Sequence, residues 1–162
     1  MAGLRAIAEE DSRIGDVRGR GLMIGVEFVT DRATRQPDKV AIYEMSGATR
    51  TFGDLNAQAN RIARLLRAHG LGPGDSVALV CPNRAEFADV LFGCQRAGLR
   101  MTPVNWHMTP EEIAYVIDNC EAKALFADAC VTGVDQAASL CPGLVVKVAI
   151  GGGLSGFLDY DD

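Results

Sequence analysis

The sequence VALVCPNRAEFADVLFGCQRAGLRMTPV, residues 77–104, decides the fold of this chain. It begins with a wholly apolar run at 77–80, of the kind that is buried on both faces in a parallel sheet. The apolar spacing predicts a helix over 84–97 with Gly98 as its stop, and a second strand over 99–104. Strand, helix and strand with short turns between them predict a right-handed crossover unit.

The same alternation continues on both sides of this unit. Apolar residues recur at helical spacing over 51–70, and the T-P-E-E sequence at 109–112 has the pattern of a helix start with a capping box. Short apolar strands are expected at 124–127 and 144–150, with a weaker helix over 134–140 between them. The sequence therefore predicts an α/β fold, a partial doubly wound parallel sheet with flanking helices.

The two ends of the chain do not continue this rhythm. Residues 1–33 predict a short helix and strand segment without a crossover helix, which suggests a separate, smaller element. The α/β unit is expected over 34–150. Residues 151–162 are rich in glycine and aspartate, as is typical of a flexible, solvated tail.

Composition narrows the classes of partner. The chain has 162 residues, 48% of them hydrophobic, and a net charge of -5. Its scattered lysines and arginines do not form the basic surface that nucleic-acid binding needs, so no nucleic-acid partner is expected. No apolar run is long enough for a membrane span, and the early acidic residues do not fit a signal peptide, which favours the cytoplasm. Five cysteines without a C-x-x-C pair indicate reduced core thiols.

Few residues suggest chemistry by themselves. The glycines at 151–156 follow a strand and could hold a phosphate, but no lysine follows them as in a nucleotide loop, and a flexible tail is the simpler interpretation. His107 lies at a strand-to-helix junction, where a general base could act, but a surface histidine beside a packed Trp106 is the simpler interpretation. We assign no catalytic residue and no metal ligand from these patterns.

Several motifs in fixed order carry a resemblance to a known family. They are P-D-K-x-A-I, T-F-G-D-L with N-R-I-A-R-L-L, G-x-G-P-G-D-x-V-A-L, P-N-R-x-E-F and V-N-W-H-x-T-P-E-E. With these motifs, the segment 34–150 resembles the N-terminal part of the AMP-forming acyl-CoA synthetases, which are adenylate-forming enzymes. The resemblance is strongest to their fatty-acyl-CoA ligase branch. The resemblance implies the first α/β subdomain of a much larger enzyme.

The family resemblance also implies an activity and its cofactors. These enzymes use ATP and Mg²⁺ to convert a carboxylic acid to an acyl-adenylate and then transfer the acyl group to coenzyme A. Their phosphate loop, metal-binding glutamate and catalytic lysine come after the segment matched here. For this chain alone, we therefore expect neither a bound cofactor nor an activity. Asn105, Trp106 and His107 match the N-W-H loop of the family, which implies a position near the acyl-binding region.

The first residues resemble a different family. The segment GLRAIAEEDSRIGDVRGRGLMIGVEFVTDRAT is similar to the C-terminal end of the class III aminotransferases that use pyridoxal phosphate (PLP). In that family the arginine of the V-R-G-x-G-L-M motif, here Arg18, can clamp a substrate carboxylate through two parallel hydrogen bonds. The lysine that holds the cofactor has no counterpart here, so the simpler interpretation is a solvated Arg18.

Together the two resemblances predict a fusion fragment, an aminotransferase-like end joined near 34–36 to a truncated acyl-CoA synthetase. Two alternatives remain open. The chain could be a non-catalytic interaction or scaffold module that self-associates or pairs with a partner through an exposed sheet edge. It could also be a remnant of a PLP-dependent aminotransferase.

The join predicts a protease-sensitive site. In limited proteolysis of the intact chain we expect the first cleavage between Asp31 and Asp38, because a polar junction between two differently derived pieces exposes its backbone. Mass spectrometry of the earliest fragments locates the cut. Protection of this segment would mean that the two pieces pack as one.

Overall fold

The structure, a computed structural model, describes residues 16–20, 23–27 and 29–162, with side chains from residue 32 onward. The chain divides by its internal contacts into two units, Met1–Ala57 and Gln58–Asp162.

The first unit contains two small antiparallel sheets. One pairs β1 (Asp16–Arg20) with β2 (Met23–Glu27), and the other pairs β3 (Val40–Tyr43) with β4 (Thr49–Thr51). The elements, in chain order, are β1 (Asp16–Arg20), β2 (Met23–Glu27), α1 (Val29–Arg35), β3 (Val40–Tyr43), β4 (Thr49–Thr51) and the start of α2 (Phe52–Ala68).

The helix α1 lies where the sequence indicates only a polar junction. Its composition has no apolar period, so periodicity gave no sign of a helix. The helix ends before Pro37, because a proline disfavours helical backbone at the residue that precedes it. The Gln36 amide still donates to the Arg32 carbonyl at 2.8 Å. Residues 36–39 are exposed, and Pro37 and Asp38, the end of the predicted cleavage segment, lie beyond this last helical hydrogen bond.

The second unit is built on a parallel sheet of five strands. Their order across the sheet is β6 (Arg100–Val104), β5 (Ser76–Val80), β7 (Ala122–Asp128), β8 (Val146–Ile150) and β9 (Leu158–Asp159). This confirms the predicted α/β fold with a parallel sheet and flanking helices. Its elements are β5 (Ser76–Val80), α3 (Ala85–Ala97), β6 (Arg100–Val104), α4 (Pro110–Asn119), β7 (Ala122–Asp128), α5 (Val134–Ser139), β8 (Val146–Ile150) and β9 (Leu158–Asp159).

Both faces of this sheet are covered by helices. Successive side chains of β5 point to opposite faces, and the strand is buried along its whole length. Val77 and Leu79 pack in a cluster with apolar residues of α2 and α3. Ala78 and Val80 pack in a second cluster with residues of α4 and α5. The central strand therefore has apolar neighbours on both sides.

Local signals at the helix ends agree with the sequence. At the start of α4, the Glu112 amide donates to Thr109 Oγ1 at 3.3 Å, and the Thr109 amide donates to Glu112 Oε2 at 2.9 Å. This is the predicted capping box. Gly98 closes α3 with a φ of 75°, a left-handed conformation that glycine adopts without steric cost.

The last twelve residues contribute to the sheet and its core. Strand β9 pairs with β8, and the buried Tyr160 donates its hydroxyl to Asp89 Oδ2 at 2.9 Å. The Tyr160 amide donates to the Ala149 carbonyl at 2.9 Å. Composition suggested a solvated tail for 151–162, because glycines and aspartates surround these few anchoring residues.

The two edges of the sheet are short or blocked. Strand β6 contains Pro103, which has no N–H to donate, and β9 has two residues. Both features limit pairing with a further strand. Self-association through an edge stays a prediction.

Among the described residues, none of the helices has both the length and the apolar composition of a membrane-spanning segment.

The close packing of α3 on α2 makes Gly93 a sensitive position. A Cβ added there meets Ile62 Cγ2 at 2.6 Å and Ile62 Cβ at 2.8 Å. We expect Gly93→Ala to lower the free energy of unfolding by about 1–3 kcal/mol from overpacking, despite the better helix propensity of alanine. Urea denaturation measures the change.

Gly143→Ala is the matched control, because a Cβ at Gly143 has no atom within 4 Å. We expect this variant to stay within about 0.5 kcal/mol of the parent. Equal or higher stability of Gly93→Ala would contradict the helix contact.

Candidate functional site at the carboxyl edge of the sheet

The strand order creates a topological switch point between β5 and β7. From β5 the chain crosses through α3 to β6 on one side, whereas β7 pairs with the other side of β5. The loops that follow β5 and β7 therefore diverge, and ligands of open α/β sheets bind in such crevices at the carboxyl ends of the strands. Val80 lies opposite Ala127 at this edge.

Three charged side chains meet at the switch point. Arg84 follows β5, Glu86 lies in the first turn of α3, and Asp128 ends β7. The guanidinium group donates to both Glu86 oxygens, from Nε to Oε2 at 2.7 Å and from Nη2 to Oε1 at 3.0 Å. Its Nη1 donates to Asp128 Oδ2 at 2.6 Å. We name this group the Arg84 cluster.

Asp128 is the most buried member of the Arg84 cluster, with 2% of its surface exposed. Burial alone raises the pKa of Asp128, but hydrogen bonds from Cys130 and from Arg84 outweigh it and hold the pKa below its usual value. One of these is the Cys130 amide, which donates to Asp128 Oδ1 at 2.8 Å. Asp128 is therefore a carboxylate at neutral pH, with hydrogen bonds to both of its oxygens.

The glycine that follows β8 also lies against the Arg84 cluster. A Cβ at Gly151 would lie 2.6 Å from Arg84 Nη1, and the φ of this glycine is 71°. Both the space and the backbone conformation favour glycine at this position. The cluster thus joins the loops that follow β5, β7 and β8.

The charges of the Arg84 cluster do not suit a phosphate. Two carboxylates surround one guanidinium, so the three groups carry one net negative charge. The bidentate pair with Glu86 already occupies two of the arginine nitrogens in the geometry that a phosphate would use. The glycines at 151–156 therefore lie beside an arginine that is engaged by carboxylates, and the described residues do not form a phosphate clamp.

The thiols beside the Arg84 cluster are poor nucleophiles. Burial, followed by the charge of Asp128, raises the pKa of Cys81 to about 12. The pKa of Cys130 is raised chiefly by its side-chain hydrogen bond with Asp128. Cys130 is exposed, so the interpretation of all five cysteines as core thiols is wrong for this one. Among the described residues, no group of three or more His, Cys, Asp or Glu could hold a metal ion.

The predicted N-W-H residues lie at the carboxyl end of the edge strand β6. Asn105 Oδ1 accepts a hydrogen bond from the His107 amide at 3.0 Å. The centroids of the Trp106 and His107 rings are 3.5 Å apart, and the two ring planes are tilted by 33°. Trp106 is 38% exposed, and its ring contacts the exposed His107 ring, so the expectation of a packed tryptophan is wrong.

Arg18, the predicted carboxylate clamp, lies in β1 opposite Gly25. Its side chain lies outside the described part of the structure.

The sequence patterns did not single out Arg84, Glu86 or Asp128. The P-N-R-x-E-F motif contains the first two, but its arginine and glutamate resemble an ordinary polar helix start. Asp128 is separated from Arg84 by 44 positions, and only the sheet register brings them together. The available signal was a charged residue at the end of an apolar strand, at the edge where α/β sheets place polar groups.

Comparison with known proteins gives a consistent family. The sequence model of the family described as AMP-binding enzyme matches residues 29–152. The chain is 33% identical over 103 residues to the fatty acid--[acyl-carrier-protein] ligase ScoC of Streptomyces coeruleorubidus, covering 64% of this chain and 20% of ScoC. It is 34% identical over 99 residues to the long-chain-fatty-acid--CoA ligase FadD13 of Mycobacterium tuberculosis (strain ATCC 25618 / H37Rv), covering 60% and 20%.

A solved structure agrees with these relatives. The structure of a long-chain-fatty-acid CoA ligase from Rhodopseudomonas palustris aligns with a TM-score of 0.72 and 28% identity, over 82% of this chain and 34% of that one. The chain therefore spans about a fifth of the length of the two curated relatives and a third of that structure. The family match begins at residue 29, before the predicted join at 34–36.

Removal of the Asp128 charge tests the Arg84 cluster. We expect Asp128→Asn to lower the free energy of unfolding by roughly 2 kcal/mol at pH 7, since it breaks a buried ion pair whose arginine is partly solvated. The folded-state pKa of Asp128 is lowered, so its contribution is present above the unfolded-state pKa of about 3.9 and is lost as the pH falls through the folded-state value.

Denaturation of the parent and of Asp128→Asn at pH 7 and between pH 4 and 2 measures this difference. Asp118→Asn on the exposed side of α4 is the control, with an expected change within about 0.5 kcal/mol. A gap between parent and Asp128→Asn that stays constant with falling pH would contradict the assignment.

Proposed function

Because this chain belongs to the AMP-binding enzyme family, we propose that it forms the first α/β unit of a ligase that activates a carboxylic acid as an acyl-adenylate. The family match over 29–152 carries the proposal. Two of the relatives are named as ligases of fatty acids, which favours a fatty acid as the substrate. In such an enzyme the acyl group then passes to coenzyme A or to a carrier protein.

The chain by itself is proposed to be inactive. Adenylation requires positive charge and N–H donors around the ATP phosphates. The arginine at the switch point is already engaged by Glu86 and Asp128, and the described residues hold no cluster of metal ligands for Mg²⁺. ATP, Mg²⁺ and coenzyme A are therefore cofactors and substrates of the whole enzyme, held by residues beyond this unit.

Within the whole enzyme, the Arg84 cluster is proposed to act as a positioning device. It ties the loops after β5, β7 and β8 to one another through hydrogen bonds and a close glycine contact. Loops that are held in place at the carboxyl edge form a rigid surface for the acid and the nucleotide. Such loops lose less conformational entropy when the substrates bind.

The N-W-H loop is proposed to contact the acyl group. Trp106 offers an exposed aromatic face, and the stacked His107 restricts its motion. An apolar ring of this kind suits an acyl or aromatic group of the substrate. Asn105 has a structural part in this arrangement, because its side chain fixes the turn.

The aminotransferase-like interpretation of 1–33 stays a prediction, and so do the role of Arg18 and the fusion. The family match and the relatives described above give no support for PLP. We expect no yellow absorbance to stay with the purified chain after PLP is added and the unbound PLP is removed by desalting. A cytoplasmic location, the absence of a nucleic-acid partner and an interaction or scaffold role likewise remain proposals drawn from composition and resemblance.

A pyrophosphate exchange assay tests the proposed inactivity. We expect the purified chain to show no acid-dependent exchange between ATP and labelled pyrophosphate above a heat-inactivated sample, with dodecanoate as the acid. Intact FadD13 is the positive control. Exchange by the chain alone would contradict the proposal that it lacks a phosphate site.

A chimera tests the family role. We expect FadD13 in which residues 29–162 of this chain replace the matching segment to retain acid-dependent exchange. A folded chimera without any exchange would contradict the proposal that this unit serves an adenylating enzyme.

A further inference from the structure

An apolar cleft lies beside β9 in the second unit, apart from the Arg84 cluster. Its volume is about 520 Å³. Phe126 of β7 and Val148 of β8 lie in it, together with Ile62 and Leu65 of α2 and Leu158 of β9. We name it the β9 cleft.

The sheet register explains why the cleft is there. Leu79, Phe126, Val148 and Leu158 lie opposite one another in successive strands, so they form one apolar row on one face of the sheet. The first three are buried, whereas Leu158 is 45% exposed. The helical cover of this face therefore ends before the row ends.

The wall of the cleft is held in place by specific contacts. Arg61 of α2 donates to the Tyr160 carbonyl, and its guanidinium lies 4.9 Å from the centre of the Tyr160 ring. The Tyr160 hydroxyl is bound to the buried Asp89 of α3. The strand that carries Leu158 is thus anchored to two helices, and the cleft is a preformed surface and not a frayed chain end.

The sheet architecture and the relatives indicate what covers the cleft. Sheets with only parallel strands occur almost always with both faces covered. The chain spans a fifth of FadD13 and a third of the aligned structure, so an enzyme of this family has much further chain to pack on this unit. The acidic Asp159 and Asp162 outnumber Arg61, the one basic residue among the described residues that line the cleft, which favours basic residues beside the apolar ones that enter.

We propose that the β9 cleft is the docking surface for an apolar helix from the remainder of an adenylate-forming enzyme. The proposal rests on the proposed function, since it takes its partner from it. The helix would insert apolar side chains between α2 and β9 and complete the row that ends at Leu158.

A comparison of one substitution in two contexts tests this proposal. In the isolated chain Leu158 is half-exposed, so we expect Leu158→Asp to change Tm by less than about 2 °C. In the FadD13 chimera the docked helix buries Leu158, so we expect the same substitution to lower Tm by about 5 °C or more, because it buries a carboxylate without a partner.

Leu140→Asp is the matched control, because Leu140 is 53% exposed at the end of α5 and lies outside the cleft. We expect it to shift Tm equally in the chain and in the chimera. Equal effects of Leu158→Asp in both contexts would overturn the proposal, and so would a chimera that does not fold although intact FadD13 does.

Two other occupants are tested on the isolated chain. A dimer seen by sedimentation that Leu158→Asp dissolves would assign the cleft to a second copy and overturn the proposal. Stoichiometric binding of dodecanoate that Leu158→Asp removes would assign it to a small molecule, with the same consequence. A chimera that shows the expected Tm difference without pyrophosphate exchange would support the docking surface and contradict the proposed function.

Discussion

Burial of β5 on both faces is the constraint from which the rest of the second unit follows. A strand without an exposed side needs an apolar layer above and below it, and Val77 with Leu79 and Ala78 with Val80 belong to two separate core clusters. The right-handed crossovers then place α3 on one face and α4 and α5 on the other. This arrangement brings the loops after β5, β7 and β8 to a common edge.

The polar groups at that edge stabilise the loops and leave little charge for a ligand. An arginine with one free bidentate face is a good phosphate ligand. Arg84 instead has Glu86 on two of its nitrogens and Asp128 on a third. The same interactions that fix the loops cancel the charge, so the unit is suited to supporting a site whose cationic groups come from elsewhere in an enzyme.

Sequence patterns were reliable where the determining interactions are local. The strand at Ser76–Val80, the capping box at Thr109 and the helix stop at Gly98 each depend on residues a few positions apart. The patterns failed where short elements lack an apolar period, as in α1 and β9. They also failed for the exposed Trp106, because an aromatic residue beside a strand is usually packed.

The sequence by itself determined the alternation of strands and helices, the parallel sheet and the family resemblance, because apolar spacing and helix caps are short-range properties of the chain. Tertiary structure alone decided which polar and aromatic residues meet. Arg84 finds Asp128 across 44 positions and Tyr160 finds Asp89 across 71. These pairs form because strand register fixes their distance, and register results from packing both faces of the sheet at once.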